Sequence, residues 1–199
     1  MEKKVLFPIE LNEDNKYKRD YLINKISKYL DLSKSFLLEI GIGNGRFGFL
    51  LGDKVIHYSG IDVDEKYVKI AKTNIPKNTN ITYKLGNAES IPFENEFDIL
   101  LYANSWHFIK NFDNALKEAE RVLKSNGIII ILEPSEKTKN WASPKLREDS
   151  HEFNKKMYEN KLINLEKGKK AIFNQNLFEV IEQEYDSKTT SNLFILKRK

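Results

Sequence analysis

The chain has 199 residues, of which 40% are hydrophobic and 31% charged, with a formal net charge of +4. This is enough for one full-sized domain with a sizeable core and excludes a disordered chain; interleaved acids and lysines make no dedicated nucleic-acid patch. Cysteine is absent, which excludes disulfides, thiolate metal clusters and enzymes built on a cysteine nucleophile.

No apolar run approaches the roughly 20 residues of a membrane span. The stretch Met1–Pro8 is too short in apolar residues for a signal peptide. A cytoplasmic protein with no membrane and no nucleic-acid partner is expected. His57, His107 and His151 show no metal-ligand spacing, so no metal is expected either.

In chain order, residues 13–30 read as a helix, with Tyr17, Tyr21, Leu22, Ile26, Tyr29 and Leu30 at helical spacing. A first strand follows at Phe36–Ile40. A helix runs on through Phe47, Leu50 and Leu51, closed by Gly52-Asp53. The second strand is His57–Ile61, ending at Asp62, and Asp64 caps a helix that stops before Pro76. The third strand is Ile81–Leu85 and the fourth Phe97–Ala103. A helix over Phe112–Lys124 closes at Ser125-Asn126-Gly127. The fifth strand, Ile128–Leu132, is wholly apolar, as a strand buried on both faces requires.

Strands alternating with helices predict an α/β fold with a parallel, doubly wound sheet. The pattern changes after Pro134. Residues 135–165 are polar and aromatic and read as an insertion or cap, and Leu165–Asn174 as the last packed helix. Phe178–Tyr185 and Asn192–Lys197 then read as an antiparallel strand pair. The expected organisation is a single domain over 1–199: a helical cap (1–32), a core (33–134), the insertion (135–165), and a final helix and strand pair (166–199).

The most informative run is Leu37-Leu38-Glu39-Ile40-Gly41-Ile42-Gly43-Asn44-Gly45. An apolar strand ends in an acid and then in glycines at alternate positions, so a ligand can lie against bare backbone. Gly43–Gly48 formally matches G-x-G-x-x-G, and Asp62 follows about 20 residues later, where an acid can hold ribose hydroxyls. Taken alone, this spacing fits a nicotinamide dinucleotide as well as another adenosine ligand.

The company of this loop is more specific. The chain resembles the class I S-adenosylmethionine-dependent methyltransferases, in particular the small type 11 group. Motif I stands as Leu38–Phe47, the second strand with its acid as Gly60-Ile61-Asp62-Val63-Asp64, and the third motif as Gly86-Asn87-Ala88-Glu89-Ser90-Ile91-Pro92-Phe93. Leu116–Gly127 and Ile128–Leu132 follow in order. The resemblance spans about 35–134 and implies a Rossmann-like, mostly parallel seven-stranded sheet whose C-terminal strand pair is antiparallel. Two positions depart from the pattern. Asn87 stands where Asp is usual, and an amide still donates and accepts at an adenine edge. Ser125-Asn126-Gly127 replaces Pro-Gly-Gly.

The resemblance implies S-adenosylmethionine as cofactor, S-adenosylhomocysteine as product and a small-molecule methyl acceptor as partner, in a monomer or homodimer. It implies that Gly41, Gly43 and Gly45 admit the cofactor and that Asp62 holds the ribose diol. Glu39 and backbone near Asn104 receive the ammonium. Val63 and Ala88 flank the adenine, with Asn87 or Glu89 at its edge. His107, after the fourth strand, is the candidate general base, because its unperturbed pKa lies near neutrality. Tyr17, Tyr21, Trp106 and Trp141 are candidate walls of an acceptor pocket. Two other classes stay open: an NAD-dependent oxidoreductase, on the glycine fingerprint alone, and a methyltransferase-fold protein that binds cofactor without turnover.

Overall fold

The structure, a computed structural model, describes residues 9–94, 96–135 and 151–199; for 151–161 it describes the backbone. Seven strands form one sheet in the order β3-β2-β1-β4-β5-β7-β6. They are β1 (Phe36–Ile40), β2 (His57–Asp62), β3 (Ile81–Leu85), β4 (Phe97–Ala103), β5 (Leu123–Pro134), β6 (Phe178–Asp186) and β7 (Ser191–Arg198). The first five pair in parallel. β7 lies antiparallel between β5 and β6. The doubly wound sheet with an antiparallel C-terminal pair is therefore the observed fold.

Among the described residues, five α-helices cover its faces: α1 (Glu13–Ile26), α2 (Arg46–Leu51), α3 (Glu65–Thr73), α4 (Phe112–Val122) and α5 (His151–Asn174). Side chains alternate across a strand, so neighbouring residues of one strand feed different cores. Leu37, Leu101 and Ile130 pack with Leu22 and Ile26 of α1, Leu50 of α2 and Val68 of α3. Leu38, Leu100 and Ile129 pack on the opposite face with Leu116 and Ala119 of α4 and Ile172 of α5.

Three element boundaries differ from those the sequence predicts, each for a tertiary reason. α1 ends at Ile26 rather than at residue 30, and Tyr29 turns instead to donate its hydroxyl to Glu182 of β6 at 2.8 Å. α4 ends at Val122, and Leu123 passes straight into β5 opposite Phe97; the register then slips so that Ile99 faces Ile128. Leu123 is completely buried, and burial holds it in the sheet against its helical periodicity. The helix expected at Leu165–Asn174 is the C-terminal part of the longer α5.

Ile130 sits in the central sheet with no exposure. Ile130→Ala is expected to lower the unfolding free energy by about 3 kcal/mol, the usual cost of a buried aliphatic truncation, measured by urea denaturation.

Candidate functional site

The chain leaves β1 toward one face of the sheet and β4 toward the other, because β1 is paired with both β2 and β4. A crevice opens at such a reversal, at the carboxyl ends of the strands. Here it is a cleft of about 710 Å³, lined by Glu39 and the Gly41–Gly43 turn, by Asp62, Val63 and Asn87–Glu89, and by Asn104, Ser105 and Phe108–Lys110.

The turn that follows β1 is tied to β2: the Gly41 and Ile42 N–H groups donate to the Ile61 carbonyl at 2.8 and 3.2 Å. Gly41 has φ +79°, and a Cβ there would lie 2.5 Å from Cβ of Ser105. Only glycine lets the segment after β4 cross at this point, and Ser105 secures the crossing by donating its hydroxyl to the Ile40 carbonyl at 2.5 Å. Gly43 has φ +51° with no atom within 4 Å of a notional Cβ, so its backbone is bare toward open space. Asp62 holds that backbone in place. One oxygen accepts the Gly43 N–H and the other the Asp64 N–H, both at 3.0 Å. Each carboxylate oxygen retains a lone pair.

Glu39 is 1% exposed, and Tyr58 donates its hydroxyl to it at 2.8 Å. Burial pushes its carboxyl up to about 8, against the opposing pull of the Tyr58 hydrogen bond and of Arg46. Arg46, which opens α2, lines the same cleft together with Phe47 and Tyr67. Arg46 and Phe47 close motif I, whereas Tyr67 and Ser105 belong to no motif by spacing and only the fold brings them to the cleft.

Several residues singled out in the sequence sit elsewhere or do something else. Trp106 is 1% exposed and packed edge-on to Tyr102, with its indole N–H on the Gly168 carbonyl at 3.0 Å, so it is core and not an acceptor wall. His107 is 2% exposed and does not line the cleft; its Nδ1 meets the Glu133 carboxylate. Tyr17 and Tyr21 do not reach the cleft either. Their hydroxyls donate to Asp186 at 3.0 Å and Glu184 at 3.4 Å, in a polar seam where Lys25 also meets Glu182 at 2.7 Å. Amphipathic side chains on this face of α1 are used up in holding the β6 edge. Glu89 lines the cleft, but its Oε1 is taken by the N–H groups of Lys110 and Asn111. Trp141 lies outside the described residues.

Among the described residues there is no cluster of His, Asp and Glu able to hold a metal ion, and no helix long and apolar enough to cross a membrane.

The buried Glu39 gives a pH signature. In the folded chain it keeps its proton to about pH 8, whereas an unfolded Glu loses it near pH 4.3. Between those limits the folded state binds the extra proton, so stability falls as pH rises through the window. Glu39→Gln, which cannot ionise, is expected to show a smaller drop in Tm between pH 5 and pH 8 than the wild type in thermal unfolding.

Comparison with known proteins gives a consistent result. The model of the family described as a methyltransferase domain matches residues 38–131. A ubiquinone biosynthesis O-methyltransferase from Pelagibacter ubique is 32% identical over 117 residues, covering 57% of this chain and 47% of the relative. The C-methyltransferase UbiE of ubiquinone and menaquinone biosynthesis from Agrobacterium fabrum is 30% identical over 125 residues, 59% of this chain and 48% of the relative. The chain thus spans about half the length of these relatives. Among solved structures, a protein from Pyrococcus horikoshii OT3 superposes with a TM-score of 0.66 at 20% identity, over 95% of this chain and 93% of that one. An S-adenosylmethionine-dependent methyltransferase from Methanosarcina mazei gives 0.61 at 19% identity, over 87% and 96%. These two likenesses concern the fold. The residues that match the methyltransferase-domain model, 38–131, include the strand ends where the cleft opens, so the chain is similar to that family over its cofactor-side core.

Proposed function

We propose that this chain transfers a methyl group from S-adenosylmethionine to a small-molecule acceptor. The observation that carries the reading is the arrangement around the glycine turn: a buried acid beneath it, a bare Gly43 backbone, and an Asp62 carboxylate with acceptor capacity to spare. These features fit the ligand part by part. Glu39 and the backbone beside Asn104 suit its ammonium, and Arg46 suits its carboxylate. Asp62 suits the ribose diol through its remaining lone pairs. Val63, 69% exposed on the cleft wall, and Ala88 suit the adenine faces, with Asn87 at the edge. Glu89 also suits the adenine edge, through Oε2, since the Lys110 and Asn111 N–H groups both go to its Oε1.

The cofactor, when bound, supplies a sulfonium-activated methyl group for in-line displacement. The residues of the chain then have to bind, align and exclude water rather than activate the methyl. His107 is not proposed as a base, since its ring is buried against Glu133 and off the cleft. The reading includes a cytoplasmic location and a monomer or homodimer. Quinone-pathway methyltransferases among the relatives support a small organic acceptor.

Competitive thermal-shift titration tests the class of ligand, because selective binding raises the midpoint. S-adenosylhomocysteine is expected to raise it and NAD to leave it unchanged; the opposite order would favour an oxidoreductase. Asp62→Ala is expected to weaken S-adenosylhomocysteine by roughly 1–3 kcal/mol in calorimetry, the scale of hydrogen bonds to a charged group. Glu39 must ionise to pair with the ligand ammonium, and its carboxyl stands at about 8 in the free protein. Binding at pH 7 is therefore expected to release a proton, with affinity rising from pH 6 to pH 8. Calorimetry in two buffers of different ionisation enthalpy reads this directly, and Glu39→Gln should abolish it.

A further inference from the structure

The loop after β3 is fastened to α4 from outside the cleft. Arg121 forks onto Glu118, three residues earlier on the helix, through Nε at 2.8 Å and Nη2 at 2.7 Å. A surface pair at this spacing is ordinarily worth little. This one reaches off its helix. The Arg121 guanidinium donates to the Phe93 carbonyl at 2.7 Å and to the Ile91 carbonyl at 2.8 Å, and Oε2 of Glu118 accepts the Ile91 N–H at 2.7 Å. Ile91 is 4% exposed, and both of its backbone polar groups meet this pair. The Arg121 hydrogen bond holds the Glu118 carboxyl below the usual carboxylate range, so the pair is charged at neutral pH.

The same loop carries Asn87, Ala88 and Glu89, which line the cleft. Their polar atoms are already divided. Asn87 Oδ1 accepts the Glu89 N–H at 3.0 Å, which leaves the Asn87 amide nitrogen as a donor. Glu89 Oε1 accepts the Lys110 and Asn111 N–H groups just before α4, both at 3.1 Å, which leaves Oε2 as an acceptor. A donor beside an acceptor suits the edge of adenine, where a ring nitrogen accepts and the 6-amino group donates. Hypoxanthine inverts both, since its ring N–H donates and its 6-oxo group accepts. Such a pair therefore tells the two purines apart only while it is held at one place along that edge.

We propose that Glu118 and Arg121 are positioning residues that hold Asn87 and Glu89 in register with the purine edge, and that this clasp makes the site select a 6-amino purine over a 6-oxo purine. The inference rests on the cofactor reading above. Neither Glu118 nor Arg121 lines the cleft, so they act through the loop and not on the ligand.

Calorimetry tests this by comparing S-adenosylhomocysteine with S-inosylhomocysteine, which differs only in carrying hypoxanthine for adenine. Wild type is expected to favour the adenine compound by about tenfold or more, the scale of one hydrogen bond. Arg121→Ala and Glu118→Ala are expected to weaken S-adenosylhomocysteine by roughly fivefold or more and S-inosylhomocysteine by less than about twofold, so that the preference collapses. Glu118→Gln keeps an oxygen acceptor for the Ile91 N–H and is expected to hold the preference within about twofold of wild type. Amide hydrogen exchange at Ile91 should quicken in Glu118→Ala and not in Glu118→Gln. Ile130→Ala, which loosens the core on the opposite face of the sheet, should keep the wild-type preference. Should Arg121→Ala not fold, the Glu118 pair decides. A wild type that binds the two compounds alike overturns this inference alone, as does equal weakening of both compounds, or no effect, in the alanine variants. Failure of S-adenosylhomocysteine to bind the wild type overturns the cofactor reading and this one together.

Discussion

The crossing of the segment after β4 over Gly41 is the contact on which the rest of the site depends. The reversal of strand order between β1 and β4 opens a crevice, but a crevice alone has no walls. The Ser105 hydroxyl on the Ile40 carbonyl, with Gly41 beneath it lacking a Cβ, brings the two sides together at the base. From that point the chain diverges, with the glycine turn toward α2 and the Trp106–Lys110 segment toward α4. Any side chain at residue 41 would separate them and open the base to water.

The acids around the cleft divide by what burial does to them. Glu39 has one hydrogen-bond donor and almost no water, so its carboxyl is raised. Asp62, Glu89 and Glu133 each accept two backbone N–H groups or their equivalent and act as braces for turns. An acid is thus left with a single hydroxyl partner at one place and used for backbone geometry at three others. The difference lies in whether N–H groups point at the oxygen atoms.

α1 and the β6-β7 pair form a second polar construction, remote from the cleft. Lys25 is buried to 8% exposure between Glu182 and Glu184, flanked by Tyr17, Tyr21 and Tyr29. Two carboxylates share its charge, and the Tyr21 and Tyr29 hydroxyls donate to those same carboxylates. This seam caps the edge strand β6 and ties the N-terminal helix to the last hairpin.

Much of the architecture was legible from the sequence. Largely apolar runs located β1 to β4 within a residue, and the central strands β1 and β4 are buried along nearly their whole length. The glycine turn and Asp62 were legible as well, since local backbone requirements leave a local trace. The ends of α1 and α4 were not. Tyr29 and Leu123 both satisfy helical periodicity, and each leaves the helix for a partner distant in sequence, Glu182 or Phe97. The acceptor side was least legible. Trp106, His107, Tyr17 and Tyr21 carry the right chemistry for a pocket, and sequence records chemistry. Which way a side chain faces depends on what packs behind it, so the tertiary structure turned those four away from the cleft and put Phe108, Ile109 and Arg46 on it.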